Sequence, residues 1–361
     1  MRLTANNLAF YLVDKGFLSP EYLISGKYRV IQQQNRNIIF RVELGETDPG
    51  LFIKQLLSFD AHNSYTLQKE ATALYLFQNS DTFADLTPYL TAYHGYDSGA
   101  QVLVTEYLPQ ALDLNEWIQH HKTFPQQFTE SIATMLSILH RDISGEIAGN
   151  TSLQFFRDTA PWILRVGDPV NPFLHHTANA NPVAHWIGQN APLCAALENL
   201  RVGWRGTSLI HGDVKLVNFI MPSPESEQLK LVDWEICALG NALWDVAGIL
   251  QSVLCTWLSM NTPQHPGQNS DRELPDISAV KAFNSALWHH YRRSMRKQGR
   301  LEIADDIDTL LRFCGARLLQ SSYEMNVYSQ QLTPQVTHML GYVQWLLTEP
   351  RQMANLLLGD E

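Results

Sequence analysis

Cysteine is scarce and scattered in this chain: Cys194, Cys237, Cys255 and Cys314 are its four among 361 residues. No two form a CxxC pair and no histidine stands at zinc-ligand spacing, so neither a dithiol redox motif nor a structural zinc site is indicated. Cysteines spaced this widely are expected to be reduced core residues of a cytoplasmic protein. Clustered cations are missing too. The net charge is −10 and no run of Lys or Arg occurs. That argues against a nucleic-acid partner, because binding a phosphate backbone needs grouped positive charge. The opening MRLTANNLAFYLVDKGFLSP lacks the continuous apolar core of a signal peptide. The most apolar later run, VAGILQSVLCTWLSM at 246–260, is short and broken by polar residues, so a buried helix is expected and no membrane partner. There is also no internal repeat and no low-complexity tract.

What is present is ordinary globular material, 45 % apolar and 17 % charged, in a length that suits two lobes. A short helix is expected from Thr4, a plausible N-cap, to Gly16, its stop. Strands follow at KYRVIQQ (27–33), IIFRVEL (38–44) and GLFIKQL (50–56), the last carrying Lys54 alone among apolar neighbours. SYTLQKEATALYLFQ reads as a helix, with Leu67, Ala71 and Leu74 on one face and Glu70 at its border. TAYHGY and QVLVTEYL give two more strands, and Pro109 ends the second. Beyond residue 112 helices dominate: FTESIATMLSILHRD is amphipathic, 143–205 is less regular, and a polar loop occupies 261–276. Inside this helical part lie the short strands SLIHG, NFIMP and LKLVDWE. The expected architecture is α+β and two-lobed, a small strand-rich lobe over 1–108 and a larger, mostly helical one over 109–361 with an insertion at about 143–205.

The chemistry concentrates in LIHGDVKLVNFIM and the LVDWEIC that follows it. Asp213 and Asn218 flank a loop that enters a strand, and Asp233 ends the expected partner strand. Such a hairpin can turn Asn218 and Asp233 toward one cavity. Hard oxygen donors, few in number and without His or Cys, suit Mg²⁺, which keeps several waters and binds through substrate phosphates. Asp213 would then be free to accept a proton from an incoming hydroxyl. Taken singly, each of these residues reads first as a turn-capping polar side chain.

HGDVKLVN followed by DWE resembles the catalytic signature of the aminoglycoside phosphotransferase and choline kinase-like families, which share the protein-kinase-like fold. The resemblance implies that Asp213 is the catalytic base, that Asn218 and Asp233 hold Mg²⁺, and that His211 organises the loop. It further implies that Lys54 and Glu70 form the pair gripping the ATP α- and β-phosphates. The backbone from Glu106 to Leu108, in LVTEYLP, would meet adenine at the hinge between lobes. LSILH is similar to the end of the helix that precedes the catalytic loop. In GNALWDVAG, Asp245 would anchor the catalytic-loop backbone. The resemblance spans roughly 27–260, with its elements in the family's order.

Two departures stand out. The turn QQQNRN has no glycine, so the phosphate-covering role falls to Asn35 and Asn37, which tolerate left-handed backbone and could present N–H groups to phosphate. Lys215 stands two residues after Asp213, where many small-molecule kinases have His; the alternative to a solvated loop cation is a role in stabilising phosphate charge. The expected function is ATP- and Mg²⁺-dependent phosphoryl transfer to a hydroxyl, with a small molecule as acceptor. The sequence shows no acidic cluster dense enough for a polycationic aminoglycoside. Alternatives are a peptide Ser/Thr kinase acting with a partner lyase in ribosomal-peptide biosynthesis, toward which Lys215 leans, and a non-catalytic nucleotide-binding pseudokinase.

Overall fold

A computed structural model describes residues 1–34, 37–45, 48–57, 61–147, 149–166, 181–262 and 274–359. Asn35 and most of the 261–276 loop lie outside them. The chain forms two compact units, Met1–Asp113 with Asn218–Cys237, and Leu114–Val217 with Ala238–Glu361. The sequence suggests one boundary, at 108. Packing instead carries the first unit to Asp113 and returns Asn218–Cys237, the acidic hairpin, to the strand-rich unit.

In the first unit, β1 (Arg29–Gln34), β2 (Asn37–Glu43), β3 (Gly50–Leu56), β4 (Tyr93–Asp97) and β5 (Val102–Tyr107) form an antiparallel sheet of order β1-β2-β3-β5-β4. Side chains alternate across a strand, and β2 shows it: Ile38, Phe40 and Val42 are buried while their neighbours are half-buried. These join Ile53, Val102 and Val104 and the helix Ala5–Asp14, through Leu8, Tyr11 and Leu12, in one core. That helix starts at Thr4, whose N–H donates to Asn7 Oδ1 (2.7 Å), and is followed by Gly16 at φ +74°, the cap and stop expected of it. Gln55, fully buried, ties the N-terminal segment to the sheet. It accepts from the Leu3 N–H (2.8 Å) and donates to the carbonyls of Met1 (2.9 Å) and Ala100 (3.1 Å). Because Ile53 enters this core, Lys54 must leave the strand on the opposite side, where the helix Ala61–Asn79 supplies Glu70.

A second sheet of the first unit has the order β6-β8-β9, from β6 (Leu112–Asp113), β8 (Phe219–Met221) and β9 (Lys230–Leu231). β9 is far shorter than the expected LKLVDWE strand. It stops because the backbone turns left-handed at Asp233, φ +72°. Trp234 locks that turn: it is buried against Phe77, centroids 4.8 Å apart, and its indole N–H donates to the Leu231 carbonyl (3.0 Å).

Among its described residues the second unit is helical apart from the pair β7 (Ser208–Ile210) and β10 (Ala238–Gly240). The run at 246–260 belongs to the longer helix Leu243–Asn261, which by length and composition could cross a membrane. It is instead the core helix of its unit: 72 % of its apolar window is buried, as expected of a helix that is apolar on every side. The insertion folds back through Asp158, which accepts from the Trp204 indole (2.8 Å) and the Gly206 N–H (3.1 Å). A Cβ at Gly206 would stand 2.5 Å from the Asp158 carboxyl carbon, so any larger residue there would displace that carboxylate.

Candidate active site

In the first unit, Lys54 is the meeting point. Its ammonium lies 2.9 and 3.0 Å from the two Glu70 oxygens and 2.7 Å from Asp233 Oδ1. The sequence anticipates the Glu70 partner; the direct bond to Asp233 it does not. Lys54 and Glu70 side chains are only 11 % and 6 % exposed, against 35 % for Asp233. Burial alone would lower the Lys54 pKa, but the two carboxylates outweigh it and hold the ammonium protonated above its ordinary range. Burial pushes Glu70 up to about 7 against the pull of Lys54, with the Asp233 charge adding to the rise. One ammonium thus serves two carboxylates.

Asn218 is buried, and its carbonyl accepts the Val232 N–H (3.0 Å), so its strand runs beside the approach to Asp233. Glu106 lies at the end of β5 and Leu108 just beyond it. The Glu106 N–H donates to the Ala92 carbonyl (2.8 Å), and its carboxylate accepts the Ala92 N–H (3.2 Å). The Leu108 carbonyl accepts the Ala111 N–H (3.1 Å). The Glu106 N–H is therefore committed within its own unit. Asn37 opens β2, opposite Leu56, and does not itself adopt a left-handed backbone. Asn35 lies outside the described residues.

In the second unit, a buried network builds the loop that carries Asp213. Asp245, fully buried, accepts from the N–H of His211 (2.7 Å) and of Gly212 (2.9 Å), and pairs with His140 Nε2 (3.1 Å). The other nitrogen of His140 meets the Tyr291 hydroxyl (2.9 Å). Burial would raise the Asp245 pKa, but the His140 and backbone hydrogen bonds hold it below the ordinary carboxylate range. Asp245 thus takes the anchoring place the sequence suggests, and His211 earns the organising one by accepting the Asp213 N–H at Nδ1 (3.2 Å). Gly212 sits at φ +83°, a conformation open to glycine at no cost. Its carbonyl accepts from the Trp244 indole (3.0 Å) and from Arg317 (2.9 Å).

The Asp213 carboxylate lies between two cations. Lys215 reaches Oδ2 (2.6 Å) and Arg317 reaches Oδ1 (3.4 Å). They differ in exposure: the Lys215 side chain is 39 % exposed, the Arg317 side chain 6 %. Arg317 and Tyr291 are absent from the sequence reading. The available signal for Arg317 is an arginine inside the apolar stretch RFCGARLLQ, where a solvated cation would be out of place.

A strand-rich unit followed by a helical one, with Lys54–Glu70 on the first and the Asp245-anchored HGD loop on the second, defines a phosphotransferase of the protein-kinase-like fold. Residues 44–265 match the model of the phosphotransferase enzyme family, and the chain belongs to that family. Solved structures share its fold. It is similar to a glucosamine kinase in complex with glucosamine, ADP and inorganic phosphate, at 15 % identity over 91 % of this chain and 83 % of that one, TM-score 0.54. An ethanolamine kinase of Plasmodium vivax is 12 % identical over 96 % of this chain and 88 % of that one, TM-score 0.52. A choline kinase of Cryptosporidium parvum is 13 % identical over 94 % and 93 %, TM-score 0.52. No curated protein sequence matches the chain.

Proposed function

We propose that the chain transfers the γ-phosphoryl group of ATP to a hydroxyl of a small-molecule acceptor. The observation that carries this is the buried Lys54 ammonium shared between Glu70 and Asp233. A desolvated cation held in place by carboxylates is suited to phosphate oxygens, because it needs no reorganisation when they arrive. Asp213 would take the acceptor's proton, since its loop is fixed through His211 and Asp245. Lys215, the more exposed of the two cations at Asp213, can leave that carboxylate for developing phosphate charge.

The donor set fits Mg²⁺. Among the described residues no group of three or more His, Cys, Asp or Glu side chains could hold a metal. Asn218 and Asp233 offer one amide and one carboxylate oxygen, which suits an ion that keeps its waters and leans on substrate phosphates. Bound there, Mg²⁺ would neutralise charge on those phosphates.

The similar structures are named as kinases of glucosamine, ethanolamine and choline, which makes these the first acceptors to test. ADP release by the purified chain from Mg·ATP is expected to rise with at least one such amino alcohol or amino sugar. Turnover with serine or threonine peptides alone would defeat the small-molecule assignment.

A further inference from the structure

We infer that Arg317 is a positioning residue for phosphoryl transfer: together with Trp244 it fixes the Gly212 peptide and so aims the Asp213 carboxylate. This rests on the proposed role of Asp213 as the group that takes the acceptor's proton. Arg317 comes from the middle of the helix Ile307–Met325, a little over a hundred positions along the chain from the loop it serves. Its guanidinium donates to the carbonyls of Gly212 (2.9 Å) and Val214 (3.1 Å) and lies 3.4 Å from Asp213 Oδ1. One side chain thus grips the residue before Asp213, the residue after it, and Asp213 itself. The Asp245 carboxylate holds the N–H groups of His211 and Gly212. The turn at Gly212 is therefore fixed from both its amide and its carbonyl side.

Trp244 completes the carbonyl side. Its indole N–H shares the Gly212 oxygen with Arg317, and the guanidinium carbon lies 5.1 Å from its ring centroid. Trp244 in turn packs edge-on against Trp204 (6.0 Å) and Phe313 (5.5 Å), and Trp204 is clamped by Asp158. Space for the guanidinium depends on Gly248, where a Cβ would stand 2.3 Å from the Val214 oxygen and 3.0 Å from Arg317 Nε. Stability alone does not call for such an arrangement. A buried cation is costly to desolvate, an apolar side chain of similar volume often replaces one without loss, and Arg317 Nε has no hydrogen-bond partner among the described residues. What an apolar residue cannot do is hold three oxygens in a fixed pattern, and a lysine can satisfy fewer of them than the planar fork of arginine.

The test compares wild type with Arg317→Met, Arg317→Lys, Trp244→Phe and Asp213→Asn. It measures ADP release from Mg·ATP with the most active of glucosamine, choline and ethanolamine, alongside Mg·ATP affinity by calorimetry and the thermal midpoint. In Arg317→Met, kcat is expected to fall on the order of 10²-fold, the cost of misplacing a catalytic group by about 1 Å, while KM and affinity for Mg·ATP stay unchanged. Arg317→Lys should recover part of kcat, and Trp244→Phe should lose less than Arg317→Met. If Arg317→Met does not fold, Arg317→Lys, which keeps the charge but not the planar fork, carries the test together with Trp244→Phe, which takes the indole N–H from the same carbonyl along with part of the ring. A wild-type kcat in the folded variants beside an inactive Asp213→Asn would overturn the positioning role and leave the proposed function standing. An active Asp213→Asn, or a wild-type chain that consumes no ATP, would defeat the proposed function and this inference with it.

Discussion

A single ammonium at Lys54 answers two carboxylates, and removing it should be felt in both stability and chemistry. Lys54 and Glu70 are nearly dry, so a lone Glu70 would be a buried charge without its partner. Breaking such a pair costs about 3–5 kcal/mol, whereas exchanging both partners for well-packed apolar residues is often close to neutral. Lys54→Met should therefore destabilise the chain strongly in urea unfolding. The double variant Lys54→Met/Glu70→Leu should regain most of that loss. Neither should bind Mg·ATP. A Lys54→Met protein as stable as wild type would mean that Asp233 and solvent do not leave Glu70 dependent on the ammonium.

Among the elements, the helix Ala5–Asp14 is held to the β4–β5 turn by one carboxylate. Asp97 accepts from Lys15 Nζ (2.9 Å), the Tyr11 hydroxyl (3.0 Å) and the N–H groups of Gly99 (2.9 Å) and Ala100 (3.0 Å). The Lys15 hydrogen bond chiefly holds its pKa down to about 2, below the ordinary 3.8. A carboxylate depressed on folding stabilises fully above its unfolded pKa, and that contribution is lost as pH falls through its folded one. Asp97→Asn should thus lower the melting temperature at neutral pH by about 2–4 °C, the scale of one hydrogen bond in a chain this size. The gap to wild type should close between about pH 3.8 and pH 2. Melts that stay parallel across that window would show that Asp97 does not tie the helix down.

The elements also show what a sequence can reveal. GLFIKQL is the β3 strand residue for residue, and Thr4 and Gly16 bound the first helix, because strand alternation and helix ends are decided by near neighbours. LKLVDWE was over-read as strand, since nothing local announces the left-handed turn at Asp233. That Asn37 joins the sheet is equally hidden from its neighbours in sequence, because it is β3 that pairs with it.

Across the whole molecule, legibility follows separation along the chain. His211, Asp213, Lys215 and Asn218 sit in one eight-residue stretch, so a motif could suggest them together. The bonds from Lys54 to Asp233, 179 positions apart in the first unit, and from Arg317 to Gly212, 105 apart in the second, each exist only once their own unit has folded. The return of Asn218–Cys237 to the strand-rich unit was invisible for the same reason, and it separates the chemistry: Lys54, Glu70, Asn218 and Asp233 belong to one unit, Asp213, Lys215 and Arg317 to the other. The proposed function assigns nucleotide binding to the first set, and to the second the activation of the acceptor by Asp213 with Lys215 answering the charge that develops on the phosphate. Parallel measurement of Mg·ATP-induced thermal stabilisation and of phosphoryl transfer in Asp233→Ala and Asp213→Ala tests that division most directly. Asp233→Ala should lose both, and Asp213→Ala should keep the stabilisation while transfer falls by roughly 10²-fold or more. Transfer at the wild-type rate in Asp213→Ala would contradict it.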